Sequence, residues 1–135
     1  MPSIFVPTTP QGQARPRLMK SGGVWSPINA FRQAVFVEAI NVRPAIPMDG
    51  PLRLEIDFIF PRPKSCPANQ VLKWTKPDTD NLLKASMDAL TNARWWIDDG
   101  RVAKIQTCKR YPFDGEHIGA AINVTTLKDP AWRSA

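Results

Sequence analysis

Five of the chain's 12 acidic residues lie between Asp78 and Asp99: Asp78, Asp80, Asp88, Asp98 and Asp99. The rest is strongly basic, with 18 lysines and arginines and a net charge of +6. A knot of carboxylates in a basic chain suits a hard cation held against an anionic substrate. Magnesium takes only one or two protein carboxylates, keeps several waters and finds its other ligands on phosphate oxygens. Pro77 disfavours helix at Lys76, so the approach is expected to be extended. In extended chain Asp78 and Asp80 share a face, roughly 6.5 Å apart along the backbone, within reach of one ion. Lys84 lies one turn further on, placed to hold a phosphate or neutralise charge developing on it.

The elements that must position these groups follow from the pattern. Asp80 is expected to cap a helix from Asn81 to about Ala93, with Leu83, Met87 and Leu90 as its apolar stripe. An Asp before a helix is ordinarily only a cap, and Asp-Asp-Gly ordinarily only a turn. The combination of two same-face acids, a lysine one turn on and an acidic pair after the helix points instead to a metal-dependent phosphate site.

The run Pro77-Asp78-x-Asp80-Asn81-Leu82-x-Lys84, then Asp88-Ala89-Leu90-Thr91, then Asp98-Asp99-x-x-Val102, resembles the signature of the RusA family of Holliday junction resolvases. The match runs from Lys76 to Lys109. The resemblance implies a small α/β fold and a Mg²⁺-dependent endodeoxyribonuclease, with Mn²⁺ as a substitute, that cuts four-way DNA junctions as a homodimer. By position it places the essential acids at Asp78, Asp80 and Asp99 and the essential lysine at Lys84, with Asp98 a further acid of the motif. One familiar pattern of the family, Pro-Pro-Ser-x-Asn-Arg after the first strand, is absent. Gln11-Gly12-Gln13-Ala14-Arg15-Pro16-Arg17 resembles the Gly-Arg-Pro-Arg loop of other members instead.

At 135 residues and 43% apolar composition, one domain with a real core is expected, spanning residues 1–135. No stretch approaches the roughly 20 apolar residues of a membrane span, so no membrane association is expected. The N-terminus is too short and too proline-rich to read as a signal peptide, and a cytoplasmic protein is the expectation. Two cysteines, Cys66 and Cys108, and one histidine, His117, are too few for a convincing zinc site, and no organic cofactor is implied. A pI near 9.8 fits a polyanion partner.

Taken in order, Ile4-Phe5-Val6 is a short first strand, and residues 8–23 are a polar loop or a basic arm over DNA. Pro27 is expected to begin a helix running to about Asn41, with Phe31 and Val35 in the core. Leu52 to Phe60 alternates cleanly, with Leu52, Leu54, Ile56, Phe58 and Phe60 inward. Val102–Tyr111 and Ala120–Leu127 are the last strands, the former burying the face that carries Ile105. The order strand, helix, strand, helix, strand, strand predicts an α/β (α+β two-layer) fold: a mixed sheet of about four strands with two helices packed on one face. The acids would meet where the approach to the second helix, the helix and the following turn converge.

The predicted chemistry is phosphodiester hydrolysis, with Asp78, Asp80 and Asp99 holding the metal and Lys84 orienting the scissile phosphate. Arg15, Arg17, Lys73 and Lys76 are candidates for DNA backbone contacts. Trp74 either packs over the site or stacks on bases exposed at a branch point. A flap or branched-DNA nuclease of looser specificity, a non-catalytic junction-binding module, and an interaction domain whose acids merely cap a helix are the competing readings.

Overall fold

The computed structural model describes residues 2–13, 17–25 and 29–127. Strand β4 (Leu52–Ile59) is the axis of the sheet. Its alternation is realised as expected: Leu52, Leu54, Ile56 and Phe58 have no exposed surface, while Arg53, Glu55 and Asp57 emerge on the other face. Strands β1 (Ser3–Val6), β5 (Val102–Arg110) and β6 (Gly119–Thr126) complete the sheet in the order β1-β6-β4-β5. β6 is antiparallel to both β1 and β4, whereas β5 runs parallel to β4. A parallel pair cannot be joined by a tight turn; helix α2 (Thr79–Asn92) is the crossover.

Helix α1 (Ala30–Asn41) and α2 pack together on the inner face. Phe31 meets Phe58 edge-on at 6.2 Å between ring centroids. Each such side chain, fully buried, contributes about 1.5–3 kcal/mol from apolar transfer. The other face of the sheet has no helix over it among the described residues and carries Arg53, Glu55, Asp57, Gln106 and Cys108, as a one-side-solvated sheet should.

Several boundaries differ from expectation. Asn29 caps α1, its Oδ1 accepting from Arg32 N at 2.9 Å, so the helix begins at Ala30; Pro27 lies outside the described residues. α2 begins two residues before Asn81, so the cap position is Asp78 and Asp80 falls in the first turn. Its buried stripe is Leu82, Ala85, Ser86, Ala89 and Leu90, with Leu83 and Met87 only half-buried on its flank. The small residues let α1 approach closely, and a stripe of large ones would hold it off. Ile105 is in register with Leu54 on the helix side, yet stays 42% exposed because β5 is an edge strand. Within the polar N-terminal segment, β2 (Arg17–Leu18) and β3 (Val24–Trp25) pair as a small ribbon. Gly22 turns it at φ +88°, a conformation glycine adopts without strain. Cys66 and Cys108 are free thiols rather than a disulfide.

The end of α2 is fixed by its backbone. Arg94 N donates to Thr91 O at 3.0 Å and Trp95 N to Leu90 O at 3.2 Å, the two bonds of a Schellman motif. The residue in the left-handed position is Arg94, at φ +65°, where glycine is usual. A side chain there costs roughly 1–2 kcal/mol. Trp95 and Trp96 follow, both fully buried. Trp95 Nε1 donates to Ala39 O at 2.8 Å and Trp96 Nε1 to Thr91 Oγ1 at 2.7 Å, so both indoles are satisfied in the core. The first of these bonds ties the end of α1 to the residues that leave α2.

Arg110 anchors the opposite end of the sheet. It is 8% exposed, donates to both oxygens of Glu116 at 2.5 and 2.7 Å, bonds Asp57 at 3.1 Å and covers the Phe113 ring. The paired guanidinium holds the Glu116 carboxyl down to about 2. A depressed carboxylate contributes stability that is complete above its unfolded pKa, about 4.3, and is lost as pH falls toward 2. Glu116→Gln is therefore expected to lower stability at pH 7 and to flatten the decline between pH 4.3 and 2, measured by urea unfolding at stepped pH.

Candidate active site

The acidic motif is positioned by a strap that runs beside the end of β5. Lys73 N donates to Lys109 O and Tyr111 N to Val71 O, both at 2.9 Å, and Leu72 bridges Arg110. The chain then turns through Thr75-Lys76-Pro77, with a cis peptide before Pro77, and enters α2. Lys109 braces this turn from the sheet, its Nζ donating to Thr75 O at 2.6 Å and Pro77 O at 2.8 Å. Burial, and then the neighbouring Lys73, lower its pKa. The sequence carried a signal for this residue: Lys109 alternates onto the same face of the strand as Ile105, and a lysine on the inward side of a strand needs acceptors.

Asp78 is exposed in the cap position, its backbone extended at φ −69° and ψ 141°, and its side chain makes no capping bond. Its Oδ1 instead meets Lys76 Nζ at 2.7 Å, and this hydrogen bond leads the causes that hold the carboxyl below its usual range. Asp80 is exposed in the first turn and accepts from Asn81 N at 2.9 Å. Lys84 stands one turn on, exposed, 3.5 Å from Asp88. The interaction-domain reading, with the acids serving as caps, finds no support at Asp78, since the carboxylate in the cap position does not cap.

The N-terminal segment is tied to the same end. Gln13 N donates to Asn81 O at 3.1 Å, and Asn29 Nδ2 donates to Gly12 O at 3.0 Å. A Cβ on Gly12 would stand 3.1 Å from that of Asn81. Residues 11–13 thus lead the basic segment away from a fixed point beside Asp80. Arg15 itself lies outside the described residues, and Arg17 is placed only as the backbone of β2. Lys73 donates to Thr75 Oγ1 and lies 5.3 Å over the Phe60 ring. Trp74 is 81% exposed, so it does not pack over the site.

Asp98 and Asp99 are elsewhere. Asp98 caps the 3₁₀ turn Asp99–Arg101, accepting from Gly100 N at 2.8 Å, and Arg101 bridges it to Asp49. Asp99 is exposed; its backbone carbonyl accepts from Val102 N, and its carboxylate has no hydrogen-bond or ion-pair partner among the described residues. The turn leads into the start of β5, and Met48 N donating to Trp95 O at 2.8 Å holds this end beside the approach to β4. Asp80 and Asn92 are separated by roughly 18 Å of helix axis at 1.5 Å per residue. The convergence expected from the sequence therefore does not occur: one chain brings together Asp78, Asp80 and Lys84, and carries Asp99 at the far end of α2. Among the described residues no group of three or more metal-ligating side chains forms.

The donor chemistry still fits a hard divalent cation. Asp78 and Asp80 offer exposed carboxylate oxygens at one end, and Asp99 offers an uncommitted one at the other.

A βαβ crossover in a mixed sheet, with exposed carboxylates and a lysine at the N-terminal end of the crossover helix, defines a candidate phosphate-processing enzyme. The family described as "Endodeoxyribonuclease RusA" matches residues 7–124, and the chain belongs to it. It is thereby an endodeoxyribonuclease, a hydrolase of the class that resolves Holliday junctions. The chain is also 32% identical over 117 residues to "Uncharacterized protein YqaN" of Bacillus subtilis (strain 168), covering 76% of this chain and 82% of that protein. No helix among the described residues is long and apolar enough to cross a membrane.

Lys109→Met would leave two carbonyls without their charged donor. Its expected effects are a loss of about 1–2 kcal/mol in urea unfolding and faster amide exchange confined to residues 73–80, measured by hydrogen–deuterium exchange.

Proposed function

We propose that the protein is a Mg²⁺-dependent resolvase that cuts four-way DNA junctions by paired hydrolysis as a homodimer, with each catalytic centre assembled from two chains. The observation that carries this is the separation of Asp78 and Asp80 from Asp99 by the length of α2. A twofold axis near the middle of that helix brings one subunit's Asp99 end alongside its partner's Asp78–Asp80 end, and does so twice. Two equivalent centres then face opposed strands of a nearly twofold junction.

Asp78, Asp80 and Asp99 would hold the ion, Mg²⁺ or its substitute Mn²⁺. When bound, a divalent ion lowers the pKa of a coordinated water and offsets phosphate charge. The chain's own groups do the rest. Lys76, 2.7 Å from Asp78, favours the ionised carboxylate in the free protein and would be free to meet a DNA phosphate were Asp78 to hold the ion. Lys84, exposed one turn beyond Asp80, orients the scissile phosphate and meets the charge that develops on it. Lys109 holds the strap so that both aspartates stay at the helix entrance. Arg15, Arg17 and Lys73 contact the DNA backbone, and Trp74, projecting into solvent, stacks on an unpaired base at the branch point.

The test uses a labelled four-way junction, with linear duplex as control and EDTA as the metal-free arm. Asp80→Asn and Asp99→Asn proteins are each expected to be inactive. After co-refolding in equal amounts, they are expected to recover about a quarter of the unmutated nicking rate, because half the dimers are mixed and each mixed dimer holds one intact centre. The recovered cuts should be single nicks rather than pairs. No recovery at all would mean that each centre draws its acids from one chain. Equal cutting of junction and duplex by the unmutated protein would mean a general nuclease.

A further inference from the structure

The helix C-termini form a second feature that the catalytic reading does not use. A notch of about 350 Å³ opens there, lined by Arg43, Pro44, Ala45, Pro47 and Arg94. Arg43 follows the end of α1 and Arg94 the end of α2. Both are exposed, and among the described residues neither guanidinium has a hydrogen-bond or ion-pair partner. Arg53, Arg62, Arg101 and Arg110 are all engaged with acceptors. The prolines fix the backbone of the wall between the two arginines.

Arg94 is the more informative of the pair. It occupies the left-handed position of a Schellman motif, where glycine would close the same hydrogen bonds without strain. A cation beside a helix C-terminus also complements the helix dipole, but that would not require the cation to occupy the strained residue itself. Two full positive charges at this corner outweigh the partial negative charge, about half a unit each, of two helix ends. Asp49 and Asp98 nearby are already engaged by Arg101, so the two guanidinium groups are left to meet an anion. The corner lies two residues from Asp49 and four from Asp98, beside the turn that carries Asp99.

We infer that Arg43 and Arg94 form a phosphodiester-binding notch that grips the DNA backbone next to the Asp99 end of the molecule, so that each subunit holds DNA at both ends of α2. The inference rests on the DNA-nuclease reading above. Guanidinium groups suit this ligand because their fork of donors matches two phosphate oxygens.

The experiment compares unmutated protein, Arg94→Gly, Arg43→Ala and the double variant, measuring four-way-junction binding across a salt series in Ca²⁺ and melting temperature on the same samples. Arg94→Gly is expected to melt about 4 °C higher, since strain is relieved, while binding about tenfold more weakly at low salt. Each single substitution should reduce the slope of log affinity against log salt by about one, and the double variant by about two. An unchanged affinity and slope in both single variants would overturn the notch, whatever the melting temperature does. A fall in melting temperature on Arg94→Gly with unchanged slope would assign the arginine to the helix dipole instead. If the unmutated protein shows no salt-dependent binding to the junction, the DNA-nuclease reading and the notch fall together.

Discussion

A 14-residue helix is a rigid spacer, and the rest of this molecule is arranged around what α2 keeps apart. Parallel pairing of β4 and β5 requires a crossover, and the crossover must return the chain to the starting end of the sheet. Residues before the helix are therefore delivered to one end and residues after it to the other. The acids at Asp78 and Asp80 and the acid at Asp99 straddle this element. Their separation is a consequence of topology, and no adjustment of side-chain rotamers removes it.

Each end of the spacer is fixed by polar bonds, partly exposed at the entrance and buried at the exit. At the entrance, the Lys109 ammonium bonds two carbonyls of the strap, and Asn29 couples the entrance of α1 to Gly12. At the exit, the buried Trp95 indole is bonded to the last turn of α1. These contacts do not touch the carboxylates. They set where the carboxylates stand, which is why exposed acids on an otherwise ordinary helix terminus keep a definite geometry.

Much of this was legible in the residues. The alternation from Leu52 to Phe60, the positions of both helices and the mixed sheet follow from apolar periodicity, and the acidic motif pointed to the family that the chain proved to belong to. What periodicity left open is instructive. It assigned Leu83 and Met87 to the buried stripe because they recur with Leu90 at helical spacing, whereas close helix packing favoured Ala85, Ser86 and Ala89. The clustering of acids and the motif's resemblance grouped Asp99 with Asp78 and Asp80, and helix length had to be counted to see that one chain keeps them apart. Lys109 went unnoticed as a brace because its acceptors are backbone carbonyls more than 30 residues away. The paired strands flanking Gly22 were hidden in a segment too polar to show a pattern.

The open face of the sheet has its own consequence. Its arginines are matched by acids: Arg53 lies 3.4 Å from Glu55, and Arg110 is shared between Asp57 and Glu116. Neutralised in this way, the face offers a polyanion little attraction, although the chain as a whole is strongly cationic. Long-range attraction is left to the loops and helix ends. Encounters with DNA are thereby biased in orientation before any contact forms, so that more collisions begin with the working surfaces turned toward the nucleic acid.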